Sequence, residues 1–228
     1  GVLGKLAAEK GGVGFTPRRS ALLALGVSPS DAELAVLKDQ AKDVNAPVRA
    51  AAVLAVGISG KDRGLVLAHA DAKTERDSMV RAYAILALGI HPDPALARTL
   101  AAIVEKDTDE SVRGAAAIAL GRVGGKEAVD ALSALMRNRN YPVLSCYAAI
   151  GLGLTRQPDA LPVLVEGFAS KQVNILTASA VGGALLGREE GAKPLEEALA
   201  NKNHPILREY AAVALGKLSP PGASARLA

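Results

Sequence analysis

The chain is poor in aromatic residues, with four Tyr, two Phe and no Trp among 228 residues. Aromatic side chains supply much of the burial in thick globular cores. A core made mostly of Ala, Leu and Val suits thin layers at close spacing instead. Cysteine is scarce too: Cys146 has no second cysteine to pair with, which excludes an internal disulfide. It lies in an apolar helical segment and reads as a small buried hydrophobe. No apolar run reaches the roughly 18 residues that a membrane-crossing helix needs. Neither sign of charge predominates, since 27 basic groups against 23 acidic ones leave +4. The densest basic spot, Arg137-Asn138-Arg139, is too thin for a nucleic-acid stripe. His69, His91 and His204 stand far apart and at different repeat positions. No metal-ligand cluster and no Ser/His/Asp set can be assembled, so no catalytic residue, metal or cofactor is assigned. The first residue is Gly1 rather than Met, which reads as a processed chain or an excised segment. The compartment, cytoplasmic or exported, is left open.

What the chain does have is a repeat. Variants of V-R-x-x-A-x-x-A-L-G begin at residues 17, 48, 80, 112, 144, 176 and 207, in steps of 31 or 32. The pattern is weakest in the sixth block, which runs from Leu176 to Leu185. Regular spacing over this much of a chain is the signature of stacked repeats. Each period holds two helical segments. The block itself forms the second, B. The first, A, precedes it at 31–42, 62–72, 94–105, 127–137, 159–169 and 190–200. Ser30 with Glu33 reads as a capping box, and Asp93-Pro94 as N-cap and first helical residue. The glycine closing each block reads as a left-handed residue ending the B helix. The A–B turns are too short for anything but antiparallel neighbours. The expected organisation is a cap, or the remnant of a preceding repeat, at 1–16, a solenoid at 17–218 and a linker or disordered tail at 219–228.

The Val-Arg pair, the Ala four residues after the Val and the Ala-Leu-Gly ending resemble HEAT-like repeats of the phycobilisome-lyase type, which are also common in bacterial scaffold proteins. The resemblance covers 17–217 and implies an all-α, right-handed α-α superhelix of six to seven helical hairpins. It says little about function, because such repeats serve lyases, adaptors and nucleic-acid enzymes alike. HEAT-like di-iron hydroxylases carry His-Glu pairs; no His-Glu dipeptide occurs here.

Arg18, Arg49, Arg81, Arg113 and Arg208 share one repeat position. We read them as a structural ladder that pairs with A–B turn groups such as Asp43, Asp77 or Asp107; an anionic groove is the other reading. The ladder lapses at Ser145 and Thr177. Two stretches, 57–62 and 121–127, resemble phosphate loops, but they lack the first Gly and the Ser/Thr of that motif and read as inter-repeat turns. Tyr83, Tyr147 and Tyr210 alternate with small residues at the fourth B position, which reads as interdigitated packing, with a stacking row as the alternative. Gly182 and Gly183 stand inside a helix and permit either close approach or a kink.

The sixth and seventh B positions are aliphatic through much of the chain, so the B helices are apolar nearly all round. The expected inner stripe is Leu54, Leu86, Ile118 and Ile150, widened by Val53 and Ile85. This favours a non-enzymatic scaffold or adaptor that binds a protein or peptide through an apolar concave face, with self-association as a variant. The alternatives are a bilin-lyase-like subunit holding a linear tetrapyrrole, and a nucleic-acid-binding solenoid.

Overall fold

The computed structural model describes residues 2–8, 15–138, 140–168, 170–187 and 192–218. The expected tail at 219–228 lies outside the described residues. Among those described there is no strand. The helices are α1 (Val2–Ala8), α2 (Phe15–Gly26), α3 (Asp31–Gln40), α4 (Ala46–Ser59), α5 (Arg63–Ala70), α6 (Ser78–Leu88) and α7 (Ala97–Lys106). They continue as α8 (Glu110–Val123), α9 (Lys126–Arg137), α10 (Pro142–Leu154), α11 (Leu161–Phe168), α12 (Val173–Leu186), α13 (Ala192–Ala200) and α14 (Pro205–Leu218). Even-numbered helices are the B helices and odd-numbered ones the A helices. Short 3-10 turns, Pro94–Leu96 and Pro158–Ala160, lead into α7 and α11.

Local chemistry sets the helix starts. Ser30 and Glu33 form a reciprocal capping box at α3. Asp62 and Asp77 accept the Leu65 and Val80 N–H groups at α5 and α6. Pro142 opens α10, where a missing N–H costs nothing. After Asp93 the chain enters a 3-10 turn, Pro94–Leu96, which runs directly into α7.

Contacts divide the chain into two compact units. The first comprises Gly1–Asp93 with Lys106–Ala119. In it α4 lies between α2 and α6, α3 packs on α2 and α4, α5 packs on α4 and α6, and α1 packs on α2 and α3. Its centre holds fully buried Leu22, Leu37, Val48, Val53 and Ile85. Each such side chain contributes about 1.5–3 kcal/mol of transfer free energy. The second unit comprises Pro94–Glu105 with Leu120–Ala228. There α12 lies between α10 and α14, while α9, α11 and α13 pack on α10, α12 and α14 in turn. Leu176, Leu195, Leu207 and Leu215 close its C-terminal core, with Phe168 packed against them.

The closing glycines do not play the part expected of them. Positive φ falls instead at Gly60, Gly124, Gly125 and Gly187, which lie in the turns beyond the B blocks. The block glycines have a different cause, which is the next B helix. A Cβ on Gly26 would sit 2.7 Å from Ala55 Cα, and one on Gly121 2.7 Å from Gly151 Cα. One on Gly153 would sit 2.6 Å from Gly182 Cα, and Gly57 and Gly89 likewise abut Ala87 and Ala119. The tenth position of one B helix therefore meets the eighth position of the next, and only a hydrogen fits between.

That contact also corrects the sixth block. Gly153 meets Gly182, which the motif placed seventh, where an eighth-position residue belongs. Leu176 keeps the buried first position, so the register is one residue short only at this seam. Gly182 then takes the close-approach position, and the seventh position belongs to Val181. Gly182 itself presses on Ala149 and the Leu164 side chain, so the glycine serves close approach.

Candidate docking face on the B helices

At 100° per residue, B positions eight and ten point to opposite sides of the helix, toward the neighbouring B helices. Position seven lies midway between them. Positions zero, four and eleven fall within about 60° of it on the same face. Position six is turned 100° away, into the gap between layers.

The burial follows this geometry. Leu86 is 39% exposed, and Leu54, Ile118 and Ile150 are half-buried. Val53 and Ile85 are wholly buried, so they are core residues and do not widen the stripe. Val181 and Val213, at position seven of the last two repeats, are half-buried and 56% exposed. Leu54, Leu86 and Ile118 belong to the first unit, and Ile150, Val181 and Val213 to the second.

The tyrosines stand on this face as well. Tyr147 is 39% and Tyr210 42% exposed, so they are not buried by interdigitation. One turn before each tyrosine lies another exposed apolar residue: Met79 before Tyr83, Val143 before Tyr147 and Ile206 before Tyr210. Seven of the twelve exposed large hydrophobics among the described residues therefore lie on this one helix face, in the third, fifth and seventh repeats. In the second and fourth repeats the same positions are Pro47 with Ala51 and Ser111 with Ala115. The apolar ridges thus recur every second repeat, at steps of 63 or 64 residues. Met79, Val143 and Ile206 precede the ten-residue block, and a search confined to the block passes over them.

The arginines are engaged elsewhere. Arg18 donates to Gln40 and to Asp43 at 2.8 Å. Arg49 grips Glu75 with Nε and Nη2, at 2.8 and 3.1 Å, and donates to the Asp43 carbonyl. Arg81 reaches Asp107 at 3.2 Å and the carbonyls of Glu75 and Arg76. The expected Asp77 partner is replaced by Glu75. Burial alone would raise the Glu75 carboxyl, but Arg49, the Asp77 N–H and His69 together hold it below its ordinary range. Arg113 is buried, whereas Arg208 is exposed and donates to the Leu199 carbonyl. Arg18, Arg49 and Arg81 thus each tie one B helix to the A–B turn of the next repeat.

Two other polar groups singled out by the sequence have structural partners. Lys61, in one of the glycine-rich turns, donates to the Pro29 carbonyl. His91 lies 3.0 Å from the Ile58 carbonyl. Cys146 is half-buried, and burial pushes its thiol up. Among the described residues no three His, Cys, Asp or Glu side chains gather to hold a metal, and no helix is long and apolar enough to cross a membrane.

A repeat of A and B helices in which successive B helices pack side by side defines an α-solenoid repeat protein. HEAT repeats match the chain at 66–145 and 97–183, more than half of its length, and the chain belongs to the HEAT-repeat family. It is similar in structure to the Escherichia coli protein YibA, with 19% identity, a TM-score of 0.57, and coverage of 95% of this chain and 81% of that one. An engineered protein aligns at 18% identity and a TM-score of 0.51, covering 96% of this chain and 68% of its own. Human deoxyhypusine hydroxylase in complex with glycerol aligns at 16% identity and a TM-score of 0.46, covering 95% and 94%. At these identities the likeness is one of fold alone. The chain matches no curated protein sequence.

Proposed function

We propose that this protein is a non-enzymatic scaffold that binds a protein or peptide partner through the exposed face of its B helices. The observation that carries this reading is the gathering of exposed Met, Leu, Val, Ile and Tyr on one face of alternate B helices. A chain with so few aromatics has placed two of its four tyrosines there with more than a third of their surface in water. Tyrosine offers apolar area and a hydroxyl at low entropic cost, which suits protein interfaces. The engagement of Arg18, Arg49 and Arg81 by carboxylates supports a protein partner over a nucleic acid, because phosphates would need those charges.

The alternation suggests how a partner is read. In the second unit the ridges of α10 and α14 flank α12. Two helix spacings of about 8–10 Å each set the ridges roughly 16–20 Å apart. About six residues of extended chain cover that distance, as do three or four turns of helix. Photo-crosslinking tests the reading directly. A benzophenone amino acid at Leu86 should capture the partner, or a second copy if the protein self-associates. The same probe at Ala35, exposed on α3, should not. Equal capture from both positions, or none from Leu86, would overturn the proposal.

A further inference from the structure

The arginine ladder is interrupted in the second unit, and a cavity lies at the interruption. Three second-position arginines of the first unit meet a carboxylate 25 or 26 residues later: Arg18 with Asp43, Arg49 with Glu75 and Arg81 with Asp107. In the fifth repeat the arginine position is Ser145, and the residue 26 later is Lys171. Both members of the rung are therefore changed. The guanidinium is replaced by a hydroxymethyl group, and the carboxylate by an ammonium. Ser145 is 1% exposed and donates to the Tyr141 carbonyl at 3.2 Å. It takes part in the lining of a cavity of about 720 Å³ that also includes Ser170, Lys171 and Gln172.

The charges and surfaces around this cavity select a ligand. Arg137 and Glu166 line it too, but they hold each other through two hydrogen bonds of 2.9 and 2.7 Å and leave no net charge. Lys171 has no ion pair among the described residues, so its charge is the one left over. Ser170 and Gln172, its chain neighbours, add polar groups to the lining. Met136, Val163 and Ile175 make the rest of the lining apolar. A cation would meet Lys171 with no unpaired carboxylate to receive it. A doubly charged anion would leave one charge without a partner. The volume lies within the range of sites for small molecules, about 300–1,000 Å³.

We propose that this cavity binds a small organic monoanion, a single carboxylate on an apolar body, with Lys171 receiving the carboxylate and Met136, Val163 and Ile175 receiving the body. The carboxylate is that of a free organic acid or of the last residue of a peptide. Titration followed by NMR distinguishes the two with three probes: N-acetyl-leucine, its equal-sized amide N-acetyl-leucinamide, and 4-methylpentanoate, which keeps the isobutyl group and the carboxylate but lacks the acetamido group. The two acids should shift the signals of Ser145, Ser170 and Lys171, and the amide should bind at least about tenfold more weakly, as loss of a charged hydrogen bond requires. Tighter binding of N-acetyl-leucine than of 4-methylpentanoate assigns the site to a peptide terminus, and equal binding assigns it to a free acid. Lys171→Gln, on an exposed side chain, should keep the fold and lose the same factor in affinity for the acids. The double variant Ser145→Arg with Lys171→Glu rebuilds the rung, so it should melt at a higher temperature and bind neither acid. Equal binding of acid and amide, or no binding of either acid, would overturn the proposal. So would a Lys171→Gln variant that binds as tightly as the parent.

Discussion

One position of the repeat should answer the same substitution with opposite signs in two helices. Gly153 and Gly216 both occupy the tenth B position, in α10 and α14. A Cβ on Gly153 would lie 2.6 Å from Gly182 Cα and 2.7 Å from its carbonyl carbon, whereas one on Gly216 would meet nothing within 4 Å. Carbon–oxygen contacts between neighbouring backbones ordinarily settle near 3.3–3.6 Å. Gly153→Ala therefore has to push α10 and α12 apart by about 1 Å. A gap of that size forfeits roughly a quarter to a half of each dispersion contact along the seam. The obstacle is backbone and cannot rotate aside, so the cost belongs near the upper end of the overpacking range of about 1–3 kcal/mol. The helical preference of Ala over Gly returns about 1 kcal/mol, leaving a net loss of about 2 kcal/mol. At Gly216 nothing offsets the propensity gain, and Gly216→Ala should stabilise by up to about 1 kcal/mol. Urea denaturation midpoints of the two single variants read the difference. A Gly153→Ala protein at least as stable as the parent, or a shift of the same sign at both sites, would refute the packing argument.

Two further outcomes follow from the same geometry. Ala116 is wholly buried at the fifth B position, so Ala116→Leu should lower stability by about 1–3 kcal/mol; an unchanged denaturation midpoint would show that there is room at this site. Asp109 accepts hydrogen bonds from the Ser111 and Ser78 side chains and from the Val112 N–H, which hold its carboxyl at about 2 against an ordinary 3.8. The unfolded chain thus takes up this proton more readily, so the contribution is present above pH 3.8 and is lost as pH falls toward 2. Asp109→Asn should flatten the acid limb of a stability–pH curve, and a limb as steep as the parent's would remove Asp109 from that account.

The repeat period, the hairpins and the capping box were legible because they rest on local chemistry: an apolar period, short polar turns, and a Ser three residues before a Glu. The engagement of the arginines was legible in kind, because a guanidinium repeated at one position needs acceptors at one position. Its partner at Glu75 was not, since Asp77 stands only two residues away and sequence spacing does not resolve a turn's side-chain directions. The closing glycines were misassigned because glycine has two uses, a left-handed backbone and the absence of a Cβ, and a sequence does not say which applies. The one-residue slip at Gly182 has the same origin. Val53 and Ile85 were counted with the exposed stripe although a helix turns 100° between adjacent residues. The ridges formed by Met79, Val143 and Ile206 with their tyrosines needed the burial of each side chain and a period of two repeats.

The central claim is that the seventh-position aliphatics form a surface kept for a partner. Leu86→Glu with Ile118→Glu, both in the first unit, tests it most directly, because Leu86 is 39% exposed and Ile118 half-buried while their neighbours Ile85 and Ala117 are wholly buried. The decisive measurement is partner binding by the folded double variant, made beside its melting temperature. The account predicts a melting temperature close to the parent's and loss of binding or self-association. A variant that fails to fold, or one that folds and binds as the parent does, would contradict it.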